Sequence, residues 1–213
     1  MTIGKEAAVW ASTVGAGALA AQAGQTAAVQ DLIKFITGED ETVRGKAWLN
    51  AHAVGPGAIA PLAALLSGQE QEVSRAARRA MWRIVRDAGR PGADALRQQA
   101  VGELLPLLAD GQPRAVRYEV VWMLSELGGD ECVAPLAKLL AAPDLREDAR
   151  AALQRIPGDR SLAALRDALP AAPADYKPAL AASLRARGVQ VSDVPDAKLV
   201  PTKQTKVKPA QPE

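Results

Sequence analysis

The densest group of chemically capable side chains in this chain lies between residues 48 and 122. Trp48 and His52 stand four residues apart. Arg75, Arg78, Arg79, Arg83 and Arg86 surround Trp82, and Tyr118 and Trp122 are again four apart. Spacings of three and four bring side chains to one face of a helix. Indole, phenol and guanidinium are the groups that concentrate energy at recognition surfaces. Their chemistry is stacking and hydrogen bonding, and none of it breaks a bond.

The groups that catalysis needs are scarce. His52 is the only histidine, so a Ser-His-Asp or Cys-His system could use that residue alone, and a multi-histidine metal site is impossible within one chain. Cys132 is the only cysteine, which excludes an internal disulfide and a cysteine-based zinc site. The carboxylates are scattered, with no pair spaced for acid-base work. Gly15 and Gly17 lie in no strand-turn-helix context, so no phosphate-cradling loop is present. The expectation is a binding protein without catalytic residues, metal or cofactor.

Helices must position the aromatic and basic side chains. On a helical wheel, Val73, Ala77, Ala80, Met81, Ile84, Val85 and Ala88 share one half. Arg75, Arg78, Arg79, Arg83, Arg86 and Arg90 share the other, with Trp82 among them. In the next such helix Val116, Val120, Leu124 and Leu127 form the apolar stripe opposite Tyr118 and Trp122. Further upstream, Val43, Ala47 and Val54 stand opposite Trp48 and His52.

These helices recur. Five times a leucine-rich helix is followed by a polar turn and a second helix, opened at Val43-Arg44, Val73-Ser74-Arg75, Val116-Arg117, Leu145-Arg146 and Tyr176-Lys177. The steps are 30, 43, 29 and 31 residues, a period that marks stacked helical hairpins. Four second helices close at Gly55, Gly89, Gly128 and Gly188, and the other at Pro157-Gly158. Glycine there suits a left-handed C-cap. Among the first helices, IAPLAALL around Pro61, LLPLLA around Pro106 and VAPLAKLL around Pro135 repeat one pattern. A helix-interior proline costs about 3 kcal/mol, so three at equivalent places predict a shared bend. The long step contains an insertion, Arg90 to Gln99, expected as a longer loop or a lengthened helix.

The proline in the first helix and the Val-Arg opening of the second resemble HEAT repeats over residues 26–188. The stretch from RRAMWRIVRDAGRPG to VWMLSELGGDECVAPLAKLLA is similar to bacterial HEAT-repeat proteins. The resemblance implies an all-α fold, an α/α right-handed superhelix of about five helical hairpins. It also implies that the second helices line a concave surface holding a protein partner. Trp48, His52, Arg75, Arg78, Arg79, Trp82, Arg83, Arg86, Tyr118 and Trp122 are the candidate contacts. Two other readings follow from related families. One is nucleic-acid binding in the manner of HEAT-like DNA glycosylases, with Asp87 the acid nearest the arginines. The other is a chaperone like the phycobilin lyases. The competing structural reading is that the tryptophans pack between repeats and the arginines form a solvated, salt-bridged face. Arg44, Arg117, Arg146 and Lys177 are expected to form a ladder with acids such as Asp40, Glu41 and Asp144.

Composition agrees with an Ala/Leu/Val core: 48% hydrophobic, 23% charged and only 3% aromatic residues. With 26 basic and 24 acidic residues the net charge is +2, too little for a global field that would hold a polyanion. Residues 1–25 read either as a weak helix ahead of the first repeat, in a cytoplasmic protein, or as a signal peptide ending near ALA and AQA, in an exported one. Residues 189–213 hold prolines 195, 201, 209 and 212 and lysines 198, 203, 206 and 208. They are expected to be a disordered basic tail. The solenoid is expected to work as a monomer.

Overall fold

The computed structural model describes residues 24–68 and 70–196. The stretch Ala7 to Ala23 and Lys198, Lys203, Lys206 and Lys208 lie outside them. The described residues form helices joined by short turns. These are α1 (residues 24–37), α2 (Glu41–Leu49), α3 (Ile59–Ala63), α4 (Gln71–Ala88) and α5 (Asp94–Leu104). They continue with α6 (Arg114–Leu127), α7 (Asp130–Leu139), α8 (Arg146–Arg155), α9 (Asp159–Ala171) and α10 (Lys177–Ala186). Short 3-10 turns cover Ala51–Ala53, Pro56–Ala58 and Leu105–Leu108.

Hairpin partners pack on each other: α3 on α4, α5 on α6, α7 on α8 and α9 on α10. The even helices also form a continuous row, α2 on α4, α4 on α6, α6 on α8 and α8 on α10. On the other side α3 meets α5, and α7 meets both the 3-10 turn Leu105–Leu108 and α9. Two layers of helices stacked in chain order make an α solenoid, in which each repeat buries its apolar faces on its neighbours.

The wheel of α4 is reproduced in full: Val73, Ala77, Ala80, Met81, Ile84, Val85 and Ala88 are all buried, and Ala76 joins them. In α6 the predicted stripe is buried too, and Val121 and Met123 extend it toward the neighbouring repeats. The first repeat differs. Val43 is 38% exposed, and Ala47 and Val54 are half-buried. Helix α2 has α4 on one side and no other described second helix on the other, so its stripe is only partly covered.

The local signals resolve in physical detail. Asp40 caps α2, its Oδ1 accepting from the Thr42 and Val43 amides at 2.8 and 3.0 Å. The insertion lengthens the first helix of the third repeat: after the turn at Pro91-Gly92, α5 begins at Asp94. Arg97 within it donates to Leu127 O and Glu131, at 2.9 and 2.7 Å. The three prolines act differently from one another. Pro61 sits in the short α3, Pro106 opens the 3-10 turn that ends α5, and Pro135 lies inside the α-helix α7.

Left-handed backbone occurs at Gly55, Gly158 and Gly188, but Gly89 and Gly128 have φ of −83° and −68°. At Gly128 the requirement is space: a Cβ would stand 2.5 Å from Leu124 O and 3.0 Å from Cys132 Sγ.

Beyond α10 the chain does not leave the solenoid at once. Val189 and Val191 pack on the core, and Arg185 donates to Val191 O and Val194 O and pairs with Asp196.

Candidate protein-interaction face

The even helices carry most of the candidate residues, and the structure brings them together by bridges between consecutive repeats. Arg79 of α4 stacks over Trp48 of α2, its guanidinium carbon 5.2 Å from the ring centroid. Arg83 Nε donates to Leu49 O at 3.1 Å, reaching the last turn of α2. One repeat on, Trp82 Nε1 donates to Glu119 Oε2 at 3.1 Å, and Arg78 pairs with the other oxygen of Glu119 at 3.3 Å. Arg86 lies over the Trp82 ring at 5.3 Å. At the third junction Trp122 Nε1 donates to Asp148 Oδ1 of α8, also at 3.1 Å. The fourth carries Arg150 donating to Ser183 Oγ at 2.6 Å and Ser183 donating to Gln154 Oε1 at 2.7 Å.

Trp48, Trp82 and Trp122 are half-buried, and the first two pack against the core. Each therefore serves two ends: one edge fills space between helices while the rest faces outward. An indole N–H turned toward a low-dielectric junction needs an acceptor, and Glu119 and Asp148 supply it. Both acids stand three residues after the apolar residue that opens their helix, Val116 and Leu145. That shared offset is readable in the sequence.

The arginines remain on the surface. Arg75, Arg78, Arg79, Arg83 and Arg86 are all exposed. Arg75 pairs with Glu72 of its own helix at 2.8 Å, while Arg79, Arg83 and Arg86 have no ion-pair partner among the described residues. Tyr118 and Trp122 meet edge to face, with centroids 6.5 Å apart and planes at 62°. Arg114 covers the other part of Tyr118 at 6.0 Å. Tyr176 repeats the pairing in buried form, with Arg146 over its ring at 4.6 Å and its hydroxyl donating to Arg146 O at 2.6 Å.

His52 departs from the expected placement. Helix α2 ends at Leu49, and His52 sits half-buried in the 3-10 turn Ala51–Ala53, so it does not follow Trp48 one helical turn on. At the switch the Asn50 side chain donates to Lys46 O at 2.9 Å and Ala53 N bonds back to Asn50 O at 3.0 Å. His52 Nδ1 is buried without a hydrogen-bond partner.

The expected basic ladder forms only in part: Arg117 and Arg146 find acids, Arg44 a main-chain carbonyl, and Lys177 no ion pair among the described residues. Arg44 donates to Gly38 O at 2.6 Å, Arg117 pairs with Asp110 at 3.0 Å, and Arg146 pairs with Asp175 of the next repeat at 2.8 Å. Asp40 is used as a cap, and Asp144 faces Arg114 at 3.8 Å rather than Arg146. Cys132 is buried in α7, and burial first, with Glu131 second, pushes its thiol up to about 11. At neutral pH it is a packed, un-ionised side chain.

The fold and this face together define an α-helical repeat solenoid. No family model matches the chain, and no curated protein matches it. Among solved structures, computationally designed armadillo repeat proteins for modular peptide recognition are similar at 22% identity and a TM-score of 0.42, over 73% of this chain and 80% of theirs. A designed armadillo repeat protein in complex with the peptide (KR)4 is similar at 22% identity and a TM-score of 0.40, again over 73% and 80%. An engineered protein is similar at 21% identity and a TM-score of 0.39, over 74% of this chain and 78% of that one. No described helix is long and apolar enough to cross a membrane.

Proposed function

We propose that this chain is a non-catalytic scaffold that binds a protein partner along the layer of its even helices. The observation that supports the reading is the state of the side chains there. Tryptophan rings from three consecutive repeats are half-exposed; Trp82 and Trp122 are held by bonds to the next even helix, and Arg79 and Arg86 lie over Trp48 and Trp82. Side chains fixed before binding lose little rotamer freedom on contact. Arg79, Arg83 and Arg86 also form no ion pair with any carboxylate among the described residues. In this reading the layer is the concave one, and the solenoid acts as a monomer without cofactor, in the cytoplasm.

A glycosylase-like reading needs an unpaired acid beside the aromatic rings, and Asp87 is held in an ion pair by Arg90. The phycobilin-lyase alternative draws on no residue of this face.

Panning a displayed peptide library on the immobilised chain tests the proposal. Selected peptides are then measured against a folded variant carrying Arg79→Glu, Arg83→Glu and Arg86→Glu. A loss of affinity of about tenfold or more supports the even-helix layer, since like-charge juxtaposition at an interface costs several kcal/mol. Equal binding to both proteins rejects this surface, and a library that yields no binder rejects the scaffold.

A further inference from the structure

Between α4 and α6 the same layer opens into a cleft of about 500 Å3. Three arginines from two helices line it: Arg75 and Arg78 from α4, and Arg114 from α6. Leu66, Ala115 and Tyr118, the last 37% exposed, give it an apolar wall. Glu119 lines it as well, but both its oxygens are taken, one by Arg78 and one by Trp82.

The donors of the three guanidiniums are far from exhausted. Each carries five N–H bonds. Arg75 spends one nitrogen on Glu72 and Arg78 one on Glu119, while Arg114 donates one to Asp144 O and holds its Nε 3.8 Å from the Asp144 carboxylate. All three side chains keep about half or more of their accessible surface. A cleft with spare guanidinium forks beside a phenol ring suits a planar anion on a short aliphatic stem. The carboxylate of a Glu or Asp side chain meets the fork in two parallel hydrogen bonds, and its methylenes rest on Tyr118 and Leu66.

We infer that this cleft is a subsite for an acidic side chain on an extended segment of the protein partner. The inference rests on the reading of the even-helix layer as the binding face, and it names the chemistry that the partner must bring. A continuous polyanion fits less well. Glu72, Glu119, Glu147 and Asp148 interrupt the basic residues along the row, and the chain carries a net charge of only +2. A phosphate backbone would meet acids on either side of the cleft, whereas a single carboxylate meets the three arginines and one acid, Glu119, whose oxygens are already bonded to Arg78 and Trp82.

The test uses the full chain and defined probes. A short fluorescent peptide of alternating Glu and Ala is titrated by anisotropy at low ionic strength, beside its Gln-Ala and Lys-Ala counterparts and an oligothymidine. The Glu peptide is expected to bind about tenfold tighter than the Gln peptide, as a charge-assisted fork is roughly twice as strong as a neutral bond. Arg75→Ala/Arg114→Ala should abolish that preference with helicity unchanged. If this variant melts early, Arg75→Lys/Arg114→Lys replaces it. It keeps the charge but loses the planar fork, and should still weaken the Glu peptide several-fold.

No preference for Glu over Gln overturns the subsite, as does a preference that survives in the double variant. Tighter binding of oligothymidine, lost in the same variant, overturns it in favour of a nucleic-acid site. Each of these outcomes leaves the wider face to be judged by the library-selected peptides and the Arg79, Arg83, Arg86 variant.

Discussion

Trp82 of α4 and Glu119 of α6 are joined by a 3.1 Å hydrogen bond from indole to carboxylate, across the junction of the second and third repeats. Trp122 and Asp148 form the same bond at the same distance one repeat on. A tryptophan in this layer is thus neither a free binding group nor plain core. Trp82 and Trp122 are struts between repeats whose rings stay partly exposed.

Removing the acceptor should therefore act on stability first. Glu119→Ala leaves the Trp82 N–H half-buried and unpaired, and should cost about 1–3 kcal/mol. Glu119→Gln keeps an acceptor and should cost clearly less. Denaturant melts of both, together with Trp82→Phe and the double variant, give the coupling energy. Additive effects would show that the bond does not tie the repeats.

Gly128→Ala should destabilise strongly although its backbone is not left-handed. The new Cβ would stand 2.5 Å from Leu124 O, a main-chain atom with little freedom to move, and 3.0 Å from Cys132 Sγ. A loss of about 1–3 kcal/mol is expected from overpacking of this kind. Gly102→Ala, where nothing lies within 4 Å, should gain a few tenths from helix propensity. Thermal melts compare the two.

Arg187, the C-cap of α10, ties that helix to the end of α8. Its Nη1 donates to Leu153 O, Ile156 O and Ser161 Oγ at 3.2, 3.0 and 3.2 Å, and its Nη2 donates to Gly158 O at 2.9 Å. One guanidinium thereby satisfies the carbonyls left over at the end of α8. Arg187→Ala should cost about 2 kcal/mol, in the range of charged hydrogen bonds. Arg187→Lys should recover little, because an ammonium cannot span that many acceptors. Hydrogen exchange in α8 and the following turn would localise the loss.

Alkaline pH should weaken the fold through Cys132 and Tyr176. Burial, with a neighbouring carboxylate adding to it, raises both in the folded state, the thiol from 9.0 to about 11 and the phenol above its usual 10.0. Both are neutral acids when folded, so the unfolded chain loses its protons first as the pH rises. The Cys132 contribution is intact below pH 9 and is lost as the pH climbs through 9 toward 11, and that of Tyr176 begins to be lost only above pH 10. Melting temperatures across that window should fall, and Cys132→Ala should flatten the fall. At pH 8, a thiol reagent should label Cys132 no faster than the protein opens. Rapid labelling would contradict its burial.

The sequence by itself determined the repeat and its buried stripes. Helical periodicity is a property of one helix, and Val73 to Ala88 needed no other element to reveal its inner and outer halves. It also placed the insertion and the aromatic-basic group. Tertiary structure decided what those outer residues touch. Whether Trp82 meets water, an arginine or Glu119 depends on the angle and offset between α4 and α6, which no single helix encodes. The first repeat shows the same limit: Val43 has the right periodicity for burial, yet stays 38% exposed because no described second helix covers that side. His52 leaves the expected position because α2 ends at Leu49, and helical periodicity carries no signal for where a helix stops.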